Sequence, residues 1–128
     1  MEIKRYSEAD DEQLFDMMRE EGEDWSCYYG GAGIGKYKKA LNNSCTYVAY
    51  EGTVLCGYVR CREDDGFGVY IYDLLVRRIC RGREIGRKLM ERVCDDYPGE
   101  IVYVMSDVDG YYEKLGYSRV GSIFIVTK

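Results

Sequence analysis

Three apolar, β-rich stretches lie back to back between Thr46 and Val76, and only two tight turns separate them. Thr46 to Tyr50 runs into the turn dipeptide Glu51-Gly52. Val54 to Arg62 runs into Asp64-Asp65-Gly66, and Gly68 to Val76 completes the set. Turns this short join neighbouring strands only in antiparallel fashion, so the region folds as a meander. The end of the third stretch is almost continuously apolar, Asp73 apart, as a central strand should be. From Glu84 to Asp95 the period changes: Ile85, Leu89, Met90, Val93 and Cys94 follow helical spacing. Pro98-Gly99 stops that helix, and Ile101 to Met105 reads as a further strand. A strand–helix–strand step of this kind is a parallel crossover. The chain is therefore of α/β class, with a mixed sheet in which an antiparallel meander continues into a parallel crossover.

The flanks fit around that frame. Glu2 to Tyr6 reads as a first strand. Ser7, with Asp10 three residues on and Leu14, Phe15, Met17 and Met18 beyond, predicts a helix that Gly22 ends. Residues 22–35 read as a loop rich in glycine and aromatic side chains, followed by a short helix from Lys36 to Leu41. Asp109 to Leu115 predicts a short helix with Gly116 at its end, and residues 117–127 a final strand or hairpin pair. A length of 128 residues gives one domain, 1-128, that buries a core without disulfide staples.

Composition removes whole classes of chemistry. The chain has 0 histidines, which excludes Ser-His-Asp and Cys-His hydrolases and any metal site that needs imidazole. An acid or base must come from a carboxylate, tyrosine, cysteine, lysine or water. The net charge of −5 argues against nucleic acid and anionic membrane as partners and suits a cationic one. No apolar run approaches the ~20 residues of a membrane span. Met1 to Arg5 carries charge without an apolar stretch behind it, so no secretion signal is expected. The 6 cysteines lack any C-x-x-C spacing and read as reduced thiols of a cytoplasmic protein. Cys80, among arginines, is expected to have a lowered pKa. Gly30 to Lys36 has the spacing of a P-loop, but Tyr37 stands where Ser or Thr would hold magnesium.

The informative segment runs from Asp73-Leu74-Leu75-Val76 through Arg77-Arg78-Ile79-Cys80 to Arg81-Gly82-Arg83-Glu84-Ile85-Gly86-Arg87. It is a strand, a basic loop and the first turn of a helix. A helix start offers unpaired N–H groups and a positive dipole end. With Gly82, Gly86 and five arginines, these make a site for a phosphate or pyrophosphate.

Arg81-Gly82-Arg83-Glu84-Ile85-Gly86 resembles the acetyl-CoA pyrophosphate loop of the GNAT N-acetyltransferase family, which reads Gln or Arg, two residues, Gly, one residue, Gly or Ala. Glu84 stands in place of the middle glycine. Tyr111-Tyr112-Glu113-Lys114-Leu115-Gly116-Tyr117 is similar to the family's late aromatic-Tyr-x-Lys-x-Gly-aromatic signature. The two motifs occur in the family's order, with a helix and a strand between them.

The resemblance implies a GNAT-like fold with the sheet splayed at a cofactor cleft between the third meander strand and Ile101–Met105. It implies an enzyme, an acyltransferase that moves acetyl from acetyl-CoA (coenzyme A) to an amine by direct attack in a ternary complex. The pantetheine arm would pair with Leu74, Leu75 and Val76. The pyrophosphate would sit on Arg81, Gly82, Arg83, Glu84, Ile85, Gly86 and Arg87. A bulge near Val76 would free an N–H for the thioester carbonyl. Tyr112 matches the tyrosine that protonates the leaving thiolate; packing on the pantetheine is its other reading.

The base stays open. The family often carries a strand carboxylate near Tyr70 or Tyr72, and Asp73 is the nearest one here; a water relay to Asp73 or to a tyrosine serves equally. The acceptor, a small-molecule or peptide amine, is expected near Trp25, Asp24 and Tyr72, with Glu20, Glu21 and Glu23 adding negative charge. An ordinary solvated helix end with Trp25 in the core is the other reading. A non-catalytic acetyl-CoA-binding sensor or interaction module remains the alternative to an enzyme. A homodimer through an edge strand at Ser122 to Thr127 is a further expectation.

Overall fold

The computed structural model describes all 128 residues. Its strands are β1 (Glu2–Arg5), β2 (Cys45–Glu51), β3 (Val54–Glu63), β4 (Val69–Val76) and β5 (Val102–Val104). They lie in one sheet in the order β1-β2-β3-β4-β5. Every neighbouring pair is antiparallel except β4 and β5, which are parallel. The helix α4 (Ile85–Asp96) makes the crossover between those two. Both tight turns therefore produce the meander, and the change of period at Glu84 produces the crossover.

The sheet separates two apolar clusters. On one face Ile85, Leu89, Met90 and Val93 of α4 pack against Tyr47, Val59, Val69 and Ile71. On the other face lie α1 (Asp11–Glu21) and α3 (Gly33–Asn42), whose Leu14, Phe15, Met17, Met18, Tyr37 and Leu41 cover Val48, Leu55, Tyr58 and Leu75. A 3₁₀ turn over Glu8–Asp10 leads into α1, and its start is held by the Asp10 carboxylate, which accepts the Ser7 N–H at 2.8 Å.

Residues 22–35 are not a loop. A 3₁₀ turn over Glu23–Trp25 leads into α2 (Ser26–Tyr29), and α3 begins at Gly33 rather than at Lys36. A β-carbon on Gly33 would stand 2.2 Å from the Cys27 carbonyl oxygen, so glycine is what lets α2 and α3 abut. Gly33 is thus a packing device inside a helical segment rather than part of a loop.

The parallel pairing of β4 with β5 covers only Val69 to Ile71, extended by the Met105 N–H donating to the Ile71 carbonyl at 3.1 Å. From Tyr72 to Val76, β4 has no neighbour on that side, so the sheet opens there as a split. The ladder to β3 sets which groups face the split. Arg77 N–H donates to the Cys56 carbonyl at 2.7 Å, and bonding alternates along an antiparallel pair. Leu74 and Val76 therefore turn their N–H and C=O groups into the opening, while those of Leu75 face β3.

A bulge changes the side chains. Cys61 lies opposite Ile71 and Arg60 opposite Asp73, which leaves Tyr72 unmatched. The extra residue reverses the alternation. Val69 and Ile71 face α4, whereas Asp73 and Leu75 face α1 and α3. The bulge falls at Tyr72, not near Val76.

β5 is followed by α5 (Asp109–Lys114). Beyond it no strand forms over residues 117–127, nor over Ser122 to Thr127. Ile123, Phe124, Ile125 and Val126 are exposed. Apolar, β-branched composition produces a strand only where a neighbouring strand receives it, and none meets this segment. No helix is long and apolar enough to cross a membrane.

Candidate active site

The basic loop leaves the end of β4 and is held from α1. Arg77 bonds the Glu20 carboxylate and donates to the Leu55 carbonyl at 2.9 Å. Arg78 and Arg81 share the Glu21 carboxylate, at 3.3 and 2.8 Å. Glu20 and Glu21 thus neutralise the loop rather than face an amine, which corrects the expectation from sequence. Arg81 Nε also donates to the Val76 carbonyl at 3.0 Å, which takes up one of the groups turned toward the split.

Two arginines keep capacity for an anion. Arg83 is exposed and makes no ion pair. Arg87 gives one terminal nitrogen to Glu84 at 2.6 Å, but its Nε is buried without a partner. A buried donor without an acceptor costs about 1–3 kcal/mol, which an incoming anion removes.

The backbone of the loop accounts for the family's glycines. Gly82 sits at φ 86 and Glu84 at φ 62, both left-handed. For a residue with a β-carbon this conformation costs roughly 1–2 kcal/mol. Glu84 caps the start of α4 in that strained form, and its carboxylate turns along the helix to Arg87. Ile85 is buried beneath the helix start. Gly86 is crowded: a β-carbon there would lie 2.3 Å from the Tyr111 hydroxyl and 3.6 Å from Val76 Cγ2. α5 therefore leans over the first turn of α4 and closes one end of the split.

Tyr112 packs its ring against the α4 cluster, next to Tyr111 at 5.1 Å between ring centres. Burial, with the charges of Tyr111, Asp107 and Tyr117, pushes its pKa up to about 12. Its phenol is protonated at any working pH and donates to no atom of the chain.

Asp73 is buried at 8% exposure, among side chains and not against backbone. Its Oδ2 accepts from Tyr37 Oη and from Arg60 Nε, both at 2.6 Å. Tyr37 is in turn 2.7 Å from the Tyr58 hydroxyl. Tyr28 reaches Oδ1 at the long distance of 3.4 Å. Burial and then the Asp73 charge push the Tyr28 pKa up to about 12, and the same causes raise Tyr37 further. Sequence reasoning missed Tyr28, Tyr37, Tyr58 and Arg60. The alternation of Tyr58 and Arg60 along β3 was visible, but a bulge that reverses β4 was not.

The remaining acceptor candidates border this network. Trp25 lies edge-on to Tyr58 at 6.4 Å and tilted on Tyr28 at 5.7 Å. It is half-buried, so it is both part of the core wall and open to solvent. Asp24 and Glu23 are exposed, outside any ion pair. Tyr72, on the bulge, has the Arg60 guanidinium 5.4 Å above its ring. Cys80 does not have the lowered pKa expected of it. Burial and the neighbouring Cys56 push it up to about 11, against smaller opposing effects of Arg83 and Arg77.

A sheet edge that opens beside a helix start, with unsatisfied arginine at its end, is a cleft for an extended ligand that ends in phosphate. A family model described as the acetyltransferase (GNAT) family matches residues 7–117. The chain belongs to the GNAT family, whose enzymes use acetyl-CoA. Solved structures share the fold at low identity. One is a GNAT-family acetyltransferase of Streptococcus pneumoniae, 21% identical over 99% of this chain and 98% of that one, TM-score 0.73. Another is an aminoglycoside 6'-N-acetyltransferase complexed with coenzyme A, 20% identical over 94% and 87%, TM-score 0.75. A third is a ribosomal-protein-alanine N-acetyltransferase of Brucella melitensis, 13% identical over 100% of both, TM-score 0.76. A search of curated proteins by sequence finds no match.

Proposed function

We propose that the chain is an acetyl-CoA-dependent N-acetyltransferase that works by direct attack of an amine in a ternary complex. The observation that carries this reading is the unpaired edge of β4 from Tyr72 to Val76, which leads to the start of α4 and the orphaned Arg87 Nε. Leu74 and Val76 offer an extended amide arm the hydrogen bonds of a strand, with Leu75 filling the core behind them. Arg81, Gly82, Arg83, Glu84, Ile85, Gly86 and Arg87 supply the backbone and charge for the pyrophosphate. Acetyl-CoA, when bound, contributes a thioester acetyl group. The Leu74 and Val76 N–H groups, turned into the opening, are placed to polarise its carbonyl. Tyr112 keeps its proton through the attack, as its raised pKa dictates, and gives it to the leaving thiolate with the cleft stabilising the phenolate, because the transfer to a less basic thiolate is otherwise uphill.

Asp73 serves the amine from behind the aromatic wall. Its carboxylate is already bonded to Tyr37 and Arg60, so a proton from the acceptor reaches it through Tyr28 or a water. The acceptor amine approaches past Asp24, Trp25 and Tyr72. Negative charge and aromatic faces there suit a cation. Of the similar structures named above, one is an aminoglycoside 6'-N-acetyltransferase and one a ribosomal-protein-alanine N-acetyltransferase, so both act on an amine. A cytoplasmic location and a homodimer belong to the same proposal.

Glu84 supports a second reading, a domain that binds acetyl-CoA without turnover, because its carboxylate competes for Arg87. Calorimetric titration with acetyl-CoA, followed by thiol release with an amine panel, separates the two. Binding with release supports the transferase. Binding without release over aminoglycosides, polyamines and peptide N-termini supports the sensor. No binding overturns both.

A further inference from the structure

Cys56 and Cys80 are 24 positions apart in sequence, yet their sulfurs are 2.9 Å apart. A disulfide bond is about 2.05 Å long, so roughly 0.9 Å of approach closes this pair. Backbone bonds hold both residues in place. Cys56 is the unmatched residue of a second bulge, where Ala49 faces Gly57 and Tyr50 faces Leu55. Its carbonyl accepts the Arg77 N–H at 2.7 Å, and the Arg77 carbonyl accepts the Cys80 N–H at 2.9 Å. A short run of hydrogen bonds thus clamps the start of the arginine loop onto β3, with the two thiols inside the clamp.

We propose that Cys56 and Cys80 are a redox modification site that closes to a reversible intramolecular disulfide. The other cysteines are placed differently. Cys27 and Cys94 are exposed, and Cys45, although opposite Cys61 across β2 and β3, has its sulfur 2.7 Å from the Tyr97 hydroxyl. The site is covered but thinly. Cys80 is 4% exposed, while its neighbour Ile79 is 78% exposed and Arg78 and Arg81 lie in solvent. Local opening of the three-residue 3₁₀ turn over Arg78–Cys80 brings it to the surface.

The chemistry balances with a small-molecule disulfide such as oxidised glutathione. The Cys80 thiolate attacks one glutathione sulfur, which forms a mixed disulfide and releases one glutathione thiolate. The Cys56 thiolate then attacks the Cys80 sulfur, which forms the Cys56–Cys80 bond and releases the second. The protein loses two electrons and two protons; the oxidant gains them as two thiols. Arg83 and Arg77 near Cys80 favour its thiolate, while burial and Cys56 oppose it more strongly. The reaction is therefore slow at neutral pH and speeds about tenfold per pH unit from 7 to 9.

The test uses the full chain at pH 8.5 in a series of oxidised to reduced glutathione ratios, trapped with N-ethylmaleimide and mapped by non-reducing mass spectrometry. The expected product is a peptide pair joined through Cys56 and Cys80, two hydrogens lighter than the reduced pair and restored by dithiothreitol. Cys56→Ser should instead hold a stable glutathione adduct on Cys80. Oxidised wild type should melt roughly 5 °C or more above the reduced protein, as closing a loop of this length predicts. Full alkylation of both thiols at every ratio overturns the proposal. So does a Cys45–Cys61 link with Cys56 and Cys80 still alkylatable.

Discussion

Tyr37 Oη and Arg60 Nε both reach the same oxygen of Asp73, each at 2.6 Å. A carboxylate on the buried side of a strand is tolerable only with such partners. Tyr37 comes from a helix and Arg60 from the adjoining strand, so the triad joins α3 to β3 and β4. Asp73→Ala removes the carboxylate and leaves Arg60 without its charge partner. It should destabilise the protein by about 3 kcal/mol, near the low end for a broken buried pair. Urea denaturation measures this; a loss below about 0.5 kcal/mol would show the triad to be solvated. Asp73→Asn keeps the shape and should fold, with its rate loss greatest at low pH, where the amine is protonated.

Tyr112→Phe isolates the hydroxyl that donates to nothing in the chain. The ring keeps its place in the α4 cluster, so acetyl-CoA affinity should hold within about twofold while kcat falls about 10²-fold. Steady-state kinetics separate the two quantities. Equal kcat in the variant would reduce Tyr112 to packing. In the wild type, no alkaline fall in kcat from this group is expected until pH approaches about 12.

Glu84→Gly restores the residue that the left-handed conformation favours. Strain relief of roughly 1 kcal/mol is partly offset by the extra freedom of glycine in the unfolded chain. The variant also releases Arg87 from a 2.6 Å ion pair beside the helix start. Affinity for acetyl-CoA should rise several-fold at low salt, with less gain as salt screens the loop. Weaker binding in calorimetry would mean that the carboxylate helps to order Arg87 for the ligand.

Gly86→Val fills the space between Tyr111 and Val76. The Tyr111 ring must swing aside to admit it, because its hydroxyl stands 2.3 Å from where the β-carbon alone would lie, so the melting temperature should fall by a few degrees while the protein still folds. The approach of a pyrophosphate to the first turn of α4 is blocked, and acetyl-CoA affinity should fall at least tenfold. Unchanged affinity would remove the pyrophosphate from this turn.

Alkaline stability follows from the tyrosines. Tyr28 and Tyr112 are raised from 10.0 to about 12 in the folded chain. A raised phenol favours the folded state fully below pH 10, where both states are protonated. That contribution is lost as pH climbs to about 12, because the unfolded chain releases the proton first. Chemical denaturation at stepped pH should give a midpoint that falls between pH 10 and 12, and Tyr28→Phe should flatten the fall.

Much of this protein was legible before any fold was built. Glu51-Gly52 and Asp64-Asp65-Gly66 determine a meander, because such turns leave no room for another connection. Ile85, Leu89, Met90 and Val93 determine the crossover helix, because their spacing is that of one helical face. The loop from Arg81 to Gly86 and the Tyr111–Tyr117 signature carry the family with them, since both are read within a few residues of chain. Tertiary structure decided what depends on residues far apart. The bulge at Tyr72 turns Asp73 toward Tyr37 and Arg60, and no local pattern marks one extra residue in a strand. Glu20 and Glu21 look like free acids at a helix end until the fold brings Arg77, Arg78 and Arg81 beside them. Composition alone favoured a strand at Ile123 to Val126, but a strand also needs a partner edge, and only the folded chain settles which edges meet.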